Sequence, residues 1–466
     1  MAGSQPLTDY ERRRLENIKR NEQMMSSFKL QSGANGLFSS SKRDGTETKG
    51  DNKIPKEKKP KSDKDPIEIR RSVRARVNRP ESKSSQRKLD PVVSMQDVNM
   101  GNPHQQHLIN TIKGLSERTP STSSSSIGRR DDGNGDSFLD LRFLILKPEN
   151  IARLMPSGIK NLLFFPCNDR SLIVGGNQYG NVAFWDVDRD LKDGEEEHGG
   201  IYLYGPHTGP ISGITIPPFS LPKALPPPNF SHDGCIRLMD VEKESFDLVY
   251  SSVGSIFCLS HRPHEAKSLY FGGAHGVINV LDERAGKSSS SWALHDQRIN
   301  TVDFNPGNTN LMATSSADGT VCIWDLRSIN ANRPKSLKTV DHKRNVRSAY
   351  FSPSGSCLAT TSASNKVGLL RGVDFMDISI INHDNQAPRS ITPFRAIWGW
   401  DDSYLFVGNP KGGVDVIPTN YRKMVTLESP HISGVPCRFT AHPHKVGMLA
   451  GAAEGWVYIW VSQQEI

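Results

Sequence analysis

Between residues 137 and 466 one pattern returns seven times: short alternating apolar runs, broken by Gly, Asn, Asp or Ser, ending on a large hydrophobe. The run ends fall at Trp185, Met239, Leu281, Trp324, Leu370, Ile417 and Trp460, with successive spacings of 54, 42, 43, 46, 47 and 43 residues. Alternation, in place of helical spacing, makes the runs strands. A unit of this length cannot bury both of its apolar faces alone. It has to stack against copies of itself.

The clearest copy is His295 to Arg327, HDQRINTVDFNPGNTNLMATSSADGTVCIWDLR. It opens on a His, runs a strand to Phe304, turns at Asn305-Pro306-Gly307 and runs a second strand over Leu311 to Ser315. An Asp-Gly turn at Asp318-Gly319 follows, suited to positive φ, and a third strand ends in Trp324-Asp325. The leading His, the turn Asp and the terminal Trp are the parts of a WD-repeat blade. Weaker copies keep the register: His207 with Asp233-Gly234, His275-Gly276, His342 with Asn365, and Glu454-Gly455 before Trp460. Seven such units close a ring, so residues 137–466 are expected to form an all-β, seven-bladed WD-repeat β-propeller. The last blade ends near the C-terminus without an outer strand, and Phe138 to Leu146 (FLDLRFLIL) is placed to supply it. The run LPKALPPPNF, Leu221 to Phe230, fits poorly in blade two, because its three consecutive prolines cannot donate to a ladder. It is either an irregular edge or a sequence variant.

The rest of the chain has different physics. Only 35% of the 466 residues are apolar, too few for one continuous core, and the deficit lies in residues 1–136. Residues 1–130 hold 27 Lys and Arg against 15 Asp and Glu, a net +12; the total of +8 leaves −4 for the remainder. A largely disordered basic N-terminal arm is expected, with a possible amphipathic helix at 8–30 carrying Leu15, Ile18, Met25 and Phe28. Its Lys cluster over Pro55 to Lys64 and the arginines from Arg70 to Arg79 suit nuclear import, phosphate binding or plain solubility. No apolar run approaches the roughly eighteen residues of a membrane span, and no signal peptide is expected. Six scattered cysteines without a C-x-x-C pair suit reduced, buried thiols and no metal.

Enzyme signatures fail. Gly286-Lys287-Ser288 looks like the end of a phosphate loop, but Leu281 stands where the leading Gly is needed. His207, His295 and His342 read as turn-orienting groups. A binding platform without cofactor is expected. Two features mark its opposite faces. Blade ends three and four read Asp282-Glu283-Arg284 and Asp325-Leu326-Arg327, placing an Arg two residues past the Asp on the bottom face. Such a guanidinium either meets a partner's carboxylate or carbonyls, or pairs locally with Asp282 or Asp325. On the other rim, Arg298, Lys343, Arg344, Arg389 and Arg395 precede inner strands and suit a phosphate backbone.

The units HDQRINTVDFNP, DHKRNVRSAYFSPSG and TPFRAIW, with YERRRLENIKRNEQM and RRSVRAR in the arm, together resemble a WD-repeat family. It holds the small subunit of the UV-damaged-DNA-binding complex and WD-repeat protein 76, and the resemblance is closer to the latter. It implies a nuclear DNA-binding protein of the DNA-damage response. It also implies a substrate receptor for a cullin 4 RING ubiquitin ligase, with Arg298 at the DNA and Arg327 at the ligase adaptor. The aromatic wedge of the damage-binding subunit is replaced here by Ala387-Pro388-Arg389-Ser390, so DNA binding without tight photolesion readout is expected. The competing expectation is a chromatin or histone-binding scaffold without direct DNA contact.

Overall fold

The computed structural model describes residues 90–101, 105–117, 141–189, 200–216, 228–265, 268–282, 287–330, 333–372, 374–386, 392–420 and 423–463. The expected helix at 8–30 and the basic clusters of the arm lie outside them, as do Arg284 and Arg389. Seven antiparallel sheets form a seven-bladed β-propeller; six have four strands and blade two has five. All seven run ends expected from the sequence fall in the third strand of successive blades.

Blade four shows why the sequence folds this way. Its inner strand Ile299–Phe304 pairs with Leu311–Ser316, then Thr320–Asp325, then the outer strand Lys338–Asp341. Residues two apart share a face of a strand. Cys322 and Trp324 therefore pack with Tyr270, Ile278 and Val280 of blade three. Val321 and Ile323 pack with Val346, Ala349 and Phe351 of blade five. Each alternating run thus serves two neighbours, and the ring is the arrangement that leaves none uncovered.

A polar lock fixes the turn geometry inside this apolar stack. His295 Nδ1 lies 3.1 Å from Asp318 Oδ2, its Nε2 lies 2.7 Å from Thr314 Oγ1, and Trp324 Nε1 donates to the same hydroxyl at 2.8 Å. His207 repeats the lock between Asp233 (3.0 Å) and Asn229 (2.6 Å). His342 meets Thr360 at 3.1 Å. His383, unremarked in the sequence, meets Asp415 at 3.0 Å. The turn itself needs a left-handed residue: Gly319 has φ +98°, and Asn365 takes the same role at +58°.

Closure uses the N-terminal side of the repeat region. Strand β2, Leu144–Arg153, pairs with Trp456–Ser462, setting Leu146 opposite Trp460. The closing strand therefore begins later than the sequence run suggested, behind a 3-10 turn at Leu141–Phe143. Blade two's second strand is only Pro228–Ser231, with proline at its first position, where a missing N–H is tolerated.

Two elements that precede residue 137 join the propeller. Strand β1, Val92–Ser94, adds a fifth strand to blade two, with Val93 opposite Phe246. Helix α1, Gln105–Glu117, buries Leu108, Ile109 and Ile112 against Phe184, Tyr204 and Met239. Removal of such side chains from water contributes roughly 1.5–3 kcal/mol each. Leu108, Ile109 and Ile112 follow helical spacing, but the polar composition around them hid it.

Successive antiparallel strands alternate direction, so each blade's inner-strand start and its second-to-third turn share one face, here called upper. The inner-strand end and the third strand's end lie on the other. In blade four the Ala317 amide donates to the Arg298 carbonyl above, at 3.0 Å, and the Leu326 amide to the Asn310 carbonyl below, at 2.9 Å. Arg298 and Arg327 therefore open on opposite faces.

Candidate functional site

Inner-strand starts from successive blades surround the upper mouth of the central channel, which holds a cavity of about 660 Å³. Arg298, Lys343 and Arg344 are exposed there. Lys343 takes φ +62° in a turn held by its amide donating to Asp341 Oδ1 at 2.6 Å. Arg395 is half-buried and leans inward; its Nη2 donates to the Asn300 carbonyl at 3.4 Å. Four of the five rim cations expected from the sequence thus share one mouth, and Arg389 is outside the described residues.

Three further cations complete the mouth. Lys160 follows Ile159 at the start of blade one's inner strand and donates to Thr392 Oγ1 at 3.1 Å. Arg347 follows Val346 in blade five and donates to the Asn385 carbonyl at 2.7 Å. Arg438 begins blade seven's inner strand and donates to the carbonyls of Lys160 (2.7 Å), Pro393 (2.6 Å) and Cys437 (2.9 Å). The sequence held the signal. Gly158-Ile159-Lys160, Asn345-Val346-Arg347 and Pro436-Cys437-Arg438 occupy the inner-strand start that Arg298 immediately precedes in blade four.

These cations meet carbonyls and hydroxyls. Among the described residues none of the seven has a carboxylate within ion-pair distance. Burial, then the neighbouring Arg395 charge, pushes the Arg438 guanidinium down to about 10. Burial and Arg438 in turn lower Lys160. Like charges crowded in a channel mouth are the condition in which an anion is attracted most strongly.

The lower face has the opposite character. Several of its cations are paired with carboxylates: Arg170 with Asp186 at 2.8 Å, Lys243 with Asp240 at 2.9 Å and Arg262 with Glu265 at 2.9 Å. Arg327 is paired as well. Its Nε donates to Asp325 Oδ1 at 2.9 Å and its Nη2 to Oδ2 at 2.7 Å, while the side chain stays 67% exposed. Of the two sequence readings, the local pair is the one present: Asp325 holds the guanidinium outward, with the side chain still largely exposed. Asp282 closes blade three's third strand at the equivalent position.

No cysteine is bridged; all six are buried, and Cys258 is pushed up to about 12 by burial. Trp398 and Trp400 are structural: their indole N–H groups donate to the Tyr350 and His442 carbonyls at 2.8 and 2.9 Å.

The profile of the family described as WD domain, G-beta repeat, matches residues 286–325 and 334–369, within blades three to five. WD repeat-containing protein 76 of Xenopus laevis is 25% identical over 480 residues, covering 97% of this chain and 80% of that protein. DNA damage-binding protein CMR1 of Phaeosphaeria nodorum is 23% identical over 516 residues, covering 98% of both. DNA damage-binding protein cmr1 of Neurospora crassa is 24% identical over 349 residues, and there the match spans 67% of this chain and 66% of the relative. The chain is a WD-repeat β-propeller, similar along nearly all of its length to proteins named WD repeat-containing protein 76 and DNA damage-binding protein CMR1.

Proposed function

We propose that this chain is a non-enzymatic, nuclear DNA-binding protein of the DNA-damage response whose upper mouth meets the phosphate backbone. The observation that carries this reading is the contrast between the faces. Arg170, Lys243, Arg262 and Arg327 of the lower face are neutralised by carboxylates, whereas Lys160, Arg298, Lys343, Arg344, Arg347, Arg395 and Arg438 have none within ion-pair distance among the described residues. A duplex lying across the rim supplies the missing negative charge and releases counterions. The relatives' names point the same way. A histone tail, itself basic, would meet like charge at this mouth, which favours DNA over the histone-binding scaffold.

The test is a salt titration of duplex affinity by fluorescence anisotropy with the full chain. Binding is expected to fall steeply with salt, and Arg298→Ala with Arg344→Ala and Arg389→Ala to flatten the log–log slope by about 2–3. An unchanged slope in the triple variant refutes the rim as the contact surface.

The lower face is proposed to dock the adaptor of a cullin 4 RING ubiquitin ligase, making the protein its substrate receptor. Support comes from the outward, pre-oriented Arg327 and the equivalent placement of Asp282, with Arg284 as the second arginine. Co-purification of the adaptor is expected to be lost in Arg327→Ala with Arg284→Ala. Undiminished recovery refutes this docking.

A further inference from the structure

The upper mouth carries more than charge. His232, in the turn between blade two's second and third strands, sets its ring 4.7 Å from that of Phe257, tilted by 60°. The guanidinium carbon of Arg298 stands 5.4 Å from the centroid of the same Phe257 ring. Three blades therefore contribute to one cluster. Phe257 is half-buried on the channel wall, while His232 and Arg298 are exposed. Ser255 Oγ donates to the His232 carbonyl at 2.8 Å, and Ser252 Oγ to the Gly254 carbonyl at 2.6 Å, bracing the loop beside them. The tip of that loop, Val253, is fully exposed.

Two planar groups are thus presented to solvent at a cationic mouth, with an aromatic ring beneath and an apolar tip alongside. Nothing in the fold requires this. Phe257 belongs to none of the apolar clusters between blades, and neither His232 nor Arg298 makes an ion pair among the described residues. We propose that His232, Phe257 and Arg298 form a stacking platform for unpaired nucleic-acid bases, with Phe257 as the positioning residue. Base faces stack on imidazole and guanidinium planes without sequence preference, and in a closed duplex those faces are already covered. The platform therefore discriminates unpaired from paired nucleotides, which the surrounding cations alone cannot do. Burial, with the charges of Arg298 and Lys160, lowers the His232 pKa, so its ring is neutral at physiological pH and stacks instead of competing for phosphate. The inference rests on the DNA reading of the upper face and names the form of DNA that this face prefers.

The experiment measures the full chain's affinity for a fluorescein-labelled single strand of roughly 20 nucleotides and for the duplex of the same sequence. Quenching of a 2-aminopurine in the single strand reports stacking directly. His232→Ala and Phe257→Leu are expected to lower the ratio of single-strand to duplex affinity about 10-fold, the loss of about one base stack, and to abolish quenching. Duplex affinity in the same preparations reports the folded fraction, and the exposed His232 carries the test if Phe257→Leu does not fold. An unchanged ratio in His232→Ala, or unchanged quenching, overturns the platform while leaving the DNA reading standing. Failure of the unmodified chain to bind either probe overturns both.

Discussion

Replacing Arg438 by Met separates what this residue does for the fold from what it does for a ligand. Two of its three hydrogen bonds, to the Lys160 and Pro393 carbonyls at 2.7 and 2.6 Å, tie blade seven to blades one and six, and the third, at 2.9 Å, stays on the Cys437 carbonyl beside it. Charged hydrogen bonds contribute roughly 1.5–3 kcal/mol each when the partner would otherwise be left dry. These carbonyls line an open mouth, where water replaces most of that contribution. On the other side, each pKa unit is worth about 1.4 kcal/mol, so the descent of Arg438 to about 10 costs its charged form roughly 3 kcal/mol. That cost disappears with the charge. The two sides cancel to within about 2 kcal/mol, a melting shift of only a few degrees for a domain this large. DNA binding has no such compensation: one phosphate contact fewer lowers the salt slope by about 0.9. Differential scanning fluorimetry and an anisotropy salt titration on one preparation measure both. A fall in melting temperature beyond about 10 °C with an unaltered slope would show Arg438 to be a structural staple and refute the reasoning.

Three other perturbations follow from individual contacts. Asp303, on the channel wall, is raised by burial to about 7, and its Oδ2 accepts the Phe351 N–H at 2.7 Å. The unfolded chain releases this proton near pH 4, so between about pH 4 and 7 the folded state binds more protons and stability falls as pH rises. Asp303→Asn keeps an acceptor and is expected to match the parent at pH 4. It should gain as much as about 4 kcal/mol at pH 8 in urea melts; a pH-independent difference refutes the assignment. Thr314→Val removes the hydroxyl shared by His295 and Trp324 and is expected to cost about 2–4 kcal/mol, with Thr314→Ser restoring most of it. Equal loss in both variants would place the effect in packing. Leu108→Ala, in the fully buried face of α1, is expected to cost about 2–5 kcal/mol of the propeller's stability, and a change under about 0.5 kcal/mol would mean that α1 does not dock.

The repeat was legible because its constraints are local. Trp324, Asp318 and the turn glycine Gly319 lie within one hairpin, and their spacing reports the blade directly. The rim cations Arg298, Lys343 and Arg344 were legible for the same reason, being offset by fixed steps from His295 and His342. Lys160, Arg347 and Arg438 share the inner-strand start but lie two residues past the position of Arg298, and Lys160 and Arg438 follow no leading His at the blade-four offset. The contact of Arg438 with Lys160, 278 positions apart, comes only with ring closure. The pairing of Arg327 with Asp325 was one of two sequence readings, since spacing sets the reach of an arginine but not its rotamer. The docking of β1 and α1 was hidden by composition: a few apolar residues in a polar stretch become core only when a neighbouring sheet offers an open edge.

The same economy explains why the upper face suits a ligand. In blade four the turn between the second and third strands and the approach to the inner strand are both pinned by His295 and Asp318. Between those pins, Gln297 and Arg298 hold their backbone through the carbonyl contacts with Ser316 and Ala317, at 3.2 and 3.0 Å, with their side chains left out of the lock. A cation placed there is therefore presented on a rigid backbone, and the ordering entropy of the loop is already met by folding. The lower loops lack this lock, and there the cations are instead held by carboxylates such as Asp186, Glu265 and Asp325. A repeated structural lock on one side of the ring thus goes with charges that, among the described residues, have no carboxylate partner. This asymmetry is the basis for proposing a polyanion at the upper mouth and a protein partner at the lower.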